Sequence, residues 1–106
     1  ALHSMDYLLG RNATGYCYVT GFGHKSPLNP HHRLAASDGI DEPLPGFLVG
    51  GPNPGKQDGC EYPSLVPDEA YVDILPSYAS NEIAINWQGM FTYYVMALDA
   101  TLRDIK

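Results

Sequence analysis

Basic side chains are scarce in this sequence: 6 Lys and Arg stand against 12 Asp and Glu, a formal net charge of -6. They form no cluster that could neutralise a row of phosphates, so nucleic acid is excluded as an expected partner. Long apolar runs are missing too. None approaches the roughly 20 residues that a bilayer span requires, and the opening ALHSMDYLLGRN lacks the basic start and long apolar centre of a signal peptide. A soluble chain is expected, with no membrane partner and with any export signal outside it. Cysteine is nearly absent. Cys17 and Cys60 are too few for a disulfide scaffold and too far apart for a metal knuckle, and they leave the redox compartment and their own pairing open.

Regular periodicity is the next thing the chain has little of. Residues 10 to 79 hold most of the 11 Gly and 9 Pro and sustain neither a 3.6 nor a 2.0 period. Phe47 to Val49 is a candidate short buried strand or turn. GGPNPGKQDG is no phosphate loop, because Lys56 is followed by Gln57 where Ser or Thr is needed and no helix follows. Periodicity returns only at the two ends. Leu2, Met5, Leu8 and Leu9 fit helical turns stopped by Gly10. Ile83, Trp87, Met90, Phe91, Tyr94, Val95, Leu98, Leu102 and Ile105 form one apolar stripe on an expected helix of about 25 residues, capped at its start by Ser80. Gly89 inside that helix costs roughly 1 kcal/mol relative to alanine and predicts close packing or a kink.

With 106 residues and 44% hydrophobic content, one modest globular domain is affordable. Two helices cannot surround so much loop, however, and a structureless stretch of this length is uncommon in a compact domain. The expected fold is therefore mainly α, with two helices flanking a long Gly/Pro-rich loop region. Residues 1–106 then form the end of a larger helical domain and carry the loops that build its active face. Within YASNEIAINW, Glu82 adjoins Ile83, Ala84 and Ile85. A carboxyl held against apolar groups gains proton affinity and can act as an acid near neutral pH.

Four ordered motifs sharpen this reading: DYLLGRNATGY, YVTGFGHKSPLNPHHR, PGFLVGGPNPG and YVDILPSYASNEIAINW. In that order they resemble the C-terminal signature regions of glycoside hydrolase family 9. The resemblance implies the C-terminal portion of an (α/α)6 barrel, a secreted enzyme that cleaves β-1,4-glucan, chiefly cellulose, with inversion at the anomeric carbon. It places Glu82 on the family's proton donor and Asp73 on a second acidic signature position. His31 and Arg33 match an H-x-R element that contacts sugar hydroxyls near the cleavage point, and Trp87 matches an aromatic ring that stacks on a glucosyl unit. Glu82, Asp73 and His31 are thus the expected catalytic positions, and Arg33 and Trp87 the expected substrate contacts.

Inversion needs a carboxylic acid and a carboxylate base roughly 6.5 to 9.5 Å apart. The family's base lies in an N-terminal aspartate motif that does not occur here, so the rest of the catalytic domain is the expected partner and the segment alone is expected to be inactive. The chemistry requires no cofactor. Asp38 in SDGIDE is a candidate ligand for structural calcium, since short acidic turns bind that ion. A zinc site built from His24, His31, His32 and a cysteine lacks ligand spacing. Asn12-Ala13-Thr14 forms a glycosylation sequon, meaningful only in a eukaryotic secretory setting. The alternative function is a non-catalytic carbohydrate-binding piece using Trp87, Tyr16, Tyr18, Tyr71 and Tyr78 as a sugar platform.

Overall fold

Side chains of the loop region, not helix faces, make the core. The structure, a computed structural model, describes residues 1–104. Tyr18, Val49 and Tyr71 are buried together, with Tyr16, Leu48 and Ile83 packed against them. The Tyr71 ring meets Tyr16 edge-on at 4.8 Å and Tyr18 at 5.1 Å, the tilted geometry that aromatic quadrupoles favour. Burial pushes the Tyr18 hydroxyl up to about 12, against a lowering hydrogen bond with Thr14. It raises that of Tyr71 further.

The described residues form four α-helices, α1 (Leu2–Leu8), α2 (Arg33–Ser37), α3 (Tyr78–Asn81) and α4 (Ile85–Asp104), and a 3-10 turn at Pro67–Glu69. Among the described residues no two of them pack along a shared face. Two isolated bridges join the segments between them, antiparallel at Val19 and Leu48 and parallel at His31 and Glu82. The expected short strand or turn at Phe47 to Val49 is extended chain, bridged at Leu48 to Val19. Gly21 makes its own contribution: its φ is +76°, and a Cβ there would stand 2.5 Å from Pro45 Cβ. Only glycine fits that crossing.

The α1 segment ends as expected. Leu9 caps it, and Gly10 follows at φ +127° with its N–H donated to the Tyr7 carbonyl at 3.3 Å. The other expected helix differs in three ways. It does not run unbroken from Ser80, because Glu82 is extended at φ -79°, ψ 153°. A continuous helix would spend the carbonyls of residues 80 to 82 on amides four positions onward. Here the Ser80 carbonyl accepts from Gly51 N–H at 2.8 Å, that of Asn81 from His31 N–H at 2.8 Å, and that of Glu82 from Gly50 N–H at 3.1 Å. Long-range pairing therefore outcompetes the helix. Ser80 is no cap either. It lies inside α3, with its hydroxyl shared with Ser77 at 2.7 Å.

Gly89, third, meets no atom within 4 Å of an added Cβ, so no close packing inside this chain explains it. The α4 helix spans 20 residues and buries none of them. At 1.5 Å per residue it is about 30 Å long, and the radius of gyration, 14.3 Å, exceeds the roughly 13 Å of a compact chain this size. Ile105, the last expected stripe residue, lies outside the described residues. α2 and α3 had no periodic signal in the sequence, being 5 and 4 residues long.

Candidate active site

The strands of chain that carry the predicted site meet at one parallel bridge, between His31 and Glu82. Paired residues on neighbouring extended chains send their side chains to the same side of the pleat. Glu82 is half-buried, and among the described residues its carboxylate enters neither a hydrogen bond nor an ion pair. It is not in the first turn of a helix, contrary to the expectation, but on the extended link between α3 and α4. His31 is oriented by its ring: Nδ1 lies 2.6 Å from the Leu75 carbonyl oxygen. A carbonyl only accepts, so Nδ1 carries the proton and Nε2 is left to face a ligand.

Asp73 bonds the backbone shortly before His31 and the side chain just before Glu82. Its Oδ2 accepts the Leu28 N–H at 2.8 Å, and its Oδ1 accepts the Asn29 N–H at 2.9 Å and the Asn81 amide at 3.0 Å. Hydrogen bonds to a charged acceptor contribute roughly 1.5 to 3 kcal/mol each. The carboxylate therefore fastens the loop that leads into His31. Arg33 opens α2, is exposed, and forms no ion pair among the described residues. Its planar fork is free to meet a polar ligand.

Trp87 packs at Gly50, whose N–H donates to the Glu82 carbonyl at 3.1 Å. Its indole lies 3.4 Å from where a Cβ of Gly50 would stand. It lines one cavity with Tyr18, Leu48 and Gly51, and another with Leu8, Met90 and Tyr94. Neither cavity includes Asp73, His31, Arg33 or Glu82. The tyrosine platform of the alternative reading also fails. Tyr18 and Tyr71 are 1% and 2% exposed, so half of its rings face the core instead of a sugar.

Asp38 ends α2, and its Oδ1 accepts the Ile40 N–H at 2.9 Å in a tight turn. Among the described residues no three His, Cys, Asp or Glu side chains gather in a set that could hold a metal ion. The chemistry below uses no metal. Cys17 and Cys60 are both free thiols. Asn12 of the sequon is tied down: its amide donates to the Tyr7 and Tyr16 carbonyls at 2.7 and 2.8 Å.

Three polar residues that periodicity could not reveal hold the site together. Asn81, directly before Glu82, is fully buried and bonded on every polar atom of its side chain. Gln88 pairs with both backbone groups of Leu48, accepting from its N–H at 2.8 Å and donating to its carbonyl at 2.6 Å. Asp58 accepts from the Tyr62 and Ser77 hydroxyls at 2.7 and 2.8 Å and from the Cys60 and Ala79 amides. Burial alone would raise its carboxyl, but these four donors outweigh it and hold the group near 2, below its ordinary 3.8. Their only sequence signal was the company of Gly, Ser and Tyr around an isolated amide or acid.

The arrangement sets one unpaired carboxyl beside one oriented imidazole, on backbone pinned by polar contacts. A carboxyl left free in this way can exchange a proton with a group bound beside it. The model of glycosyl hydrolase family 9 matches residues 1–95. A xyloglucan-specific endo-beta-1,4-glucanase of Bacteroides ovatus is 65% identical over 100 residues, 94% of this chain and 17% of that protein. Endoglucanase D of Acetivibrio thermocellus is 45% identical over 93 residues, 88% of this chain and 13% of that protein. The chain thus spans less than a fifth of the length of these relatives. Among solved structures, AaCel9A in complex with cellobiose-like isofagomine superposes with a TM-score of 0.81 at 42% identity, covering 87% of this chain and 18% of that one. With the motifs, the helical architecture and the family match in agreement, the chain belongs to glycosyl hydrolase family 9.

Proposed function

We propose that the protein carrying this chain hydrolyses β-1,4-glucosidic bonds with inversion, and that Glu82 is its general acid. The observation that carries the reading is the His31–Glu82 bridge. It sets Glu82, whose carboxylate has no partner among the described residues, and His31, whose Nε2 is free, on the same side of two adjacent extended segments. The relatives whose names state an activity act on β-1,4-glucans or their derivatives, among them an endoglucanase and a xyloglucanase. A shared β-1,4-glucan backbone is therefore the substrate class we assign. A polymer of that kind does not cross a membrane unaided, and we propose that the reaction takes place outside the cell.

In the step itself, Glu82 passes its proton to the glycosidic oxygen as the C1–O bond breaks and the bonding pair moves to that oxygen. Water adds to C1 from the opposite face and gives its proton to a carboxylate base supplied by the rest of the catalytic domain. His31 Nε2 and Arg33 hold sugar hydroxyls near the cleaved bond. Asp73 acts at one remove, by fixing the loop before His31. Substituting Glu82→Gln keeps shape but removes the acid, so turnover of unactivated glucan should fall at least ~10²-fold while binding persists. The first-formed anomer, followed by NMR, should be α. Near-normal turnover, or a β product, would refute the assignment.

A further inference from the structure

We propose that Asn81 is the positioning residue of this site: its buried amide sets the distance between His31 and Glu82. The inference rests on the acid role proposed for Glu82 and extends it to a residue that meets no substrate. Asn81 is 0% exposed and uses every polar group it has. Its Oδ1 accepts the Tyr71 hydroxyl at 2.6 Å, and its Nδ2 donates to the Asn29 carbonyl at 2.8 Å and to Asp73 Oδ1 at 3.0 Å. Its main-chain carbonyl accepts the His31 N–H at 2.8 Å. One residue therefore ties the Tyr71–Asp73 segment, the Asn29–His31 segment and the backbone of Glu82 into a single unit.

The amide's orientation follows from its partners. Nδ2 faces a carbonyl and a carboxylate, both acceptors, and Oδ1 faces a hydroxyl that can donate. No other side chain of this size supplies two donors and one acceptor in that order. Aspartate would set an oxygen against two acceptors, and leucine would leave the Tyr71 hydroxyl buried without a partner. Either change should let the Glu82 carboxyl, one residue on, drift from the leaving oxygen while His31, its ring still tied to the Leu75 carbonyl, stays on the sugar. A shift of about 1 Å at a reacting pair can lower a rate about 10²-fold.

The test uses the full-length enzyme with two substrates: unactivated β-1,4-glucan, and an aryl β-cellobioside whose acidic phenol leaves without a proton. Asn81→Asp should lower kcat on glucan about 10²-fold and leave the aryl substrate within about threefold of wild type. Tyr71→Phe removes only one of the contacts and keeps the ring, so it should lower kcat on glucan about fivefold, the equivalent of one neutral hydrogen bond, with the aryl substrate unchanged. A parallel loss on both substrates in the two variants, or unchanged turnover of glucan, would overturn the positioning role. If Asn81→Asp fails to fold, Tyr71→Phe decides. Glu82→Gln run alongside separates the two claims. Should it lower both substrates equally, the acid assignment itself fails; should it spare the aryl substrate while the Asn81 and Tyr71 variants do not, only the positioning role fails.

Discussion

Residues 10 to 79 and helix α4 invert the usual relation between regularity and burial. The first region has little repeating structure, yet it supplies Tyr18, Val49 and Tyr71, which form the core. The second is an unbroken 20-residue helix with no fully buried residue. Met90 is 72% exposed, Tyr93 77% and Ile85 93%. Repeating backbone hydrogen bonds satisfy a helix whether or not its face is covered. Irregular chain must find each partner separately, and here Asp58, Asp73, Asn81 and Gln88 provide them. The division of labour follows: polar pins in and around the loops, with Gln88 from the first turn of α4, hold the chemistry in place, and the rest of α4 offers a surface.

Three substitutions probe that division, beginning with the largest effect. Met90→Ala should destabilise the full-length enzyme by about 2 to 5 kcal/mol, the cost of a core cavity, if the rest of the domain covers α4. In the isolated 106-residue chain the same change should be nearly neutral. Denaturant titration of both proteins measures the difference, and equal effects in the two would erase the contrast.

Asp58→Asn should destabilise the full-length enzyme by about 1 to 2 kcal/mol at neutral pH, through weakened bonds to Tyr62, Ser77 and two amides. The folded carboxyl is depressed to about 2 from 3.8. Its contribution is therefore complete above the unfolded value and is lost as pH falls through the folded one. The gap between wild type and variant should close over that acid window. Denaturation midpoints taken from pH 6 downward would show it, and a constant gap would remove Asp58 as the ionised cap of α3.

Arg33→Lys should give the smallest of the three effects. It preserves the charge but loses the planar fork, so kcat/KM on glucan should fall several-fold with no change in thermal midpoint. Kinetics equal to wild type would make Arg33 a solvated helix residue.

The sequence revealed α4 because an apolar stripe at spacings of three and four is a local signal. It did not reveal the break at Glu82. Ile83 to Ile85 continue the apolar run with no Gly or Pro, and the break comes from amides at Gly50, Gly51 and His31 that are distant in sequence. The same applies to the tyrosines. Tyr18 and Tyr71 read equally well as a sugar platform or as core, and only their contacts decide. Glu82 and His31 were named through motif resemblance, and the backbone bridge between them had no signal in the sequence. Asn81 lay in the same motif yet gave no signal, since a buried amide is defined by partners at Asn29, Tyr71 and Asp73.

The central claim is that polar pins, not helix packing, hold His31 beside Glu82, and amide hydrogen exchange in the full-length enzyme tests it most directly. The Leu28 and Asn29 amides are bound to Asp73, the His31 amide to Asn81 and the Gly50 amide to Glu82. Peptides that contain them should exchange as slowly as those from α4, and Asn81→Asp should speed the peptide around His31 without affecting α4. Exchange at those amides as fast as in an open loop, or indifferent to Asn81→Asp, would contradict the claim.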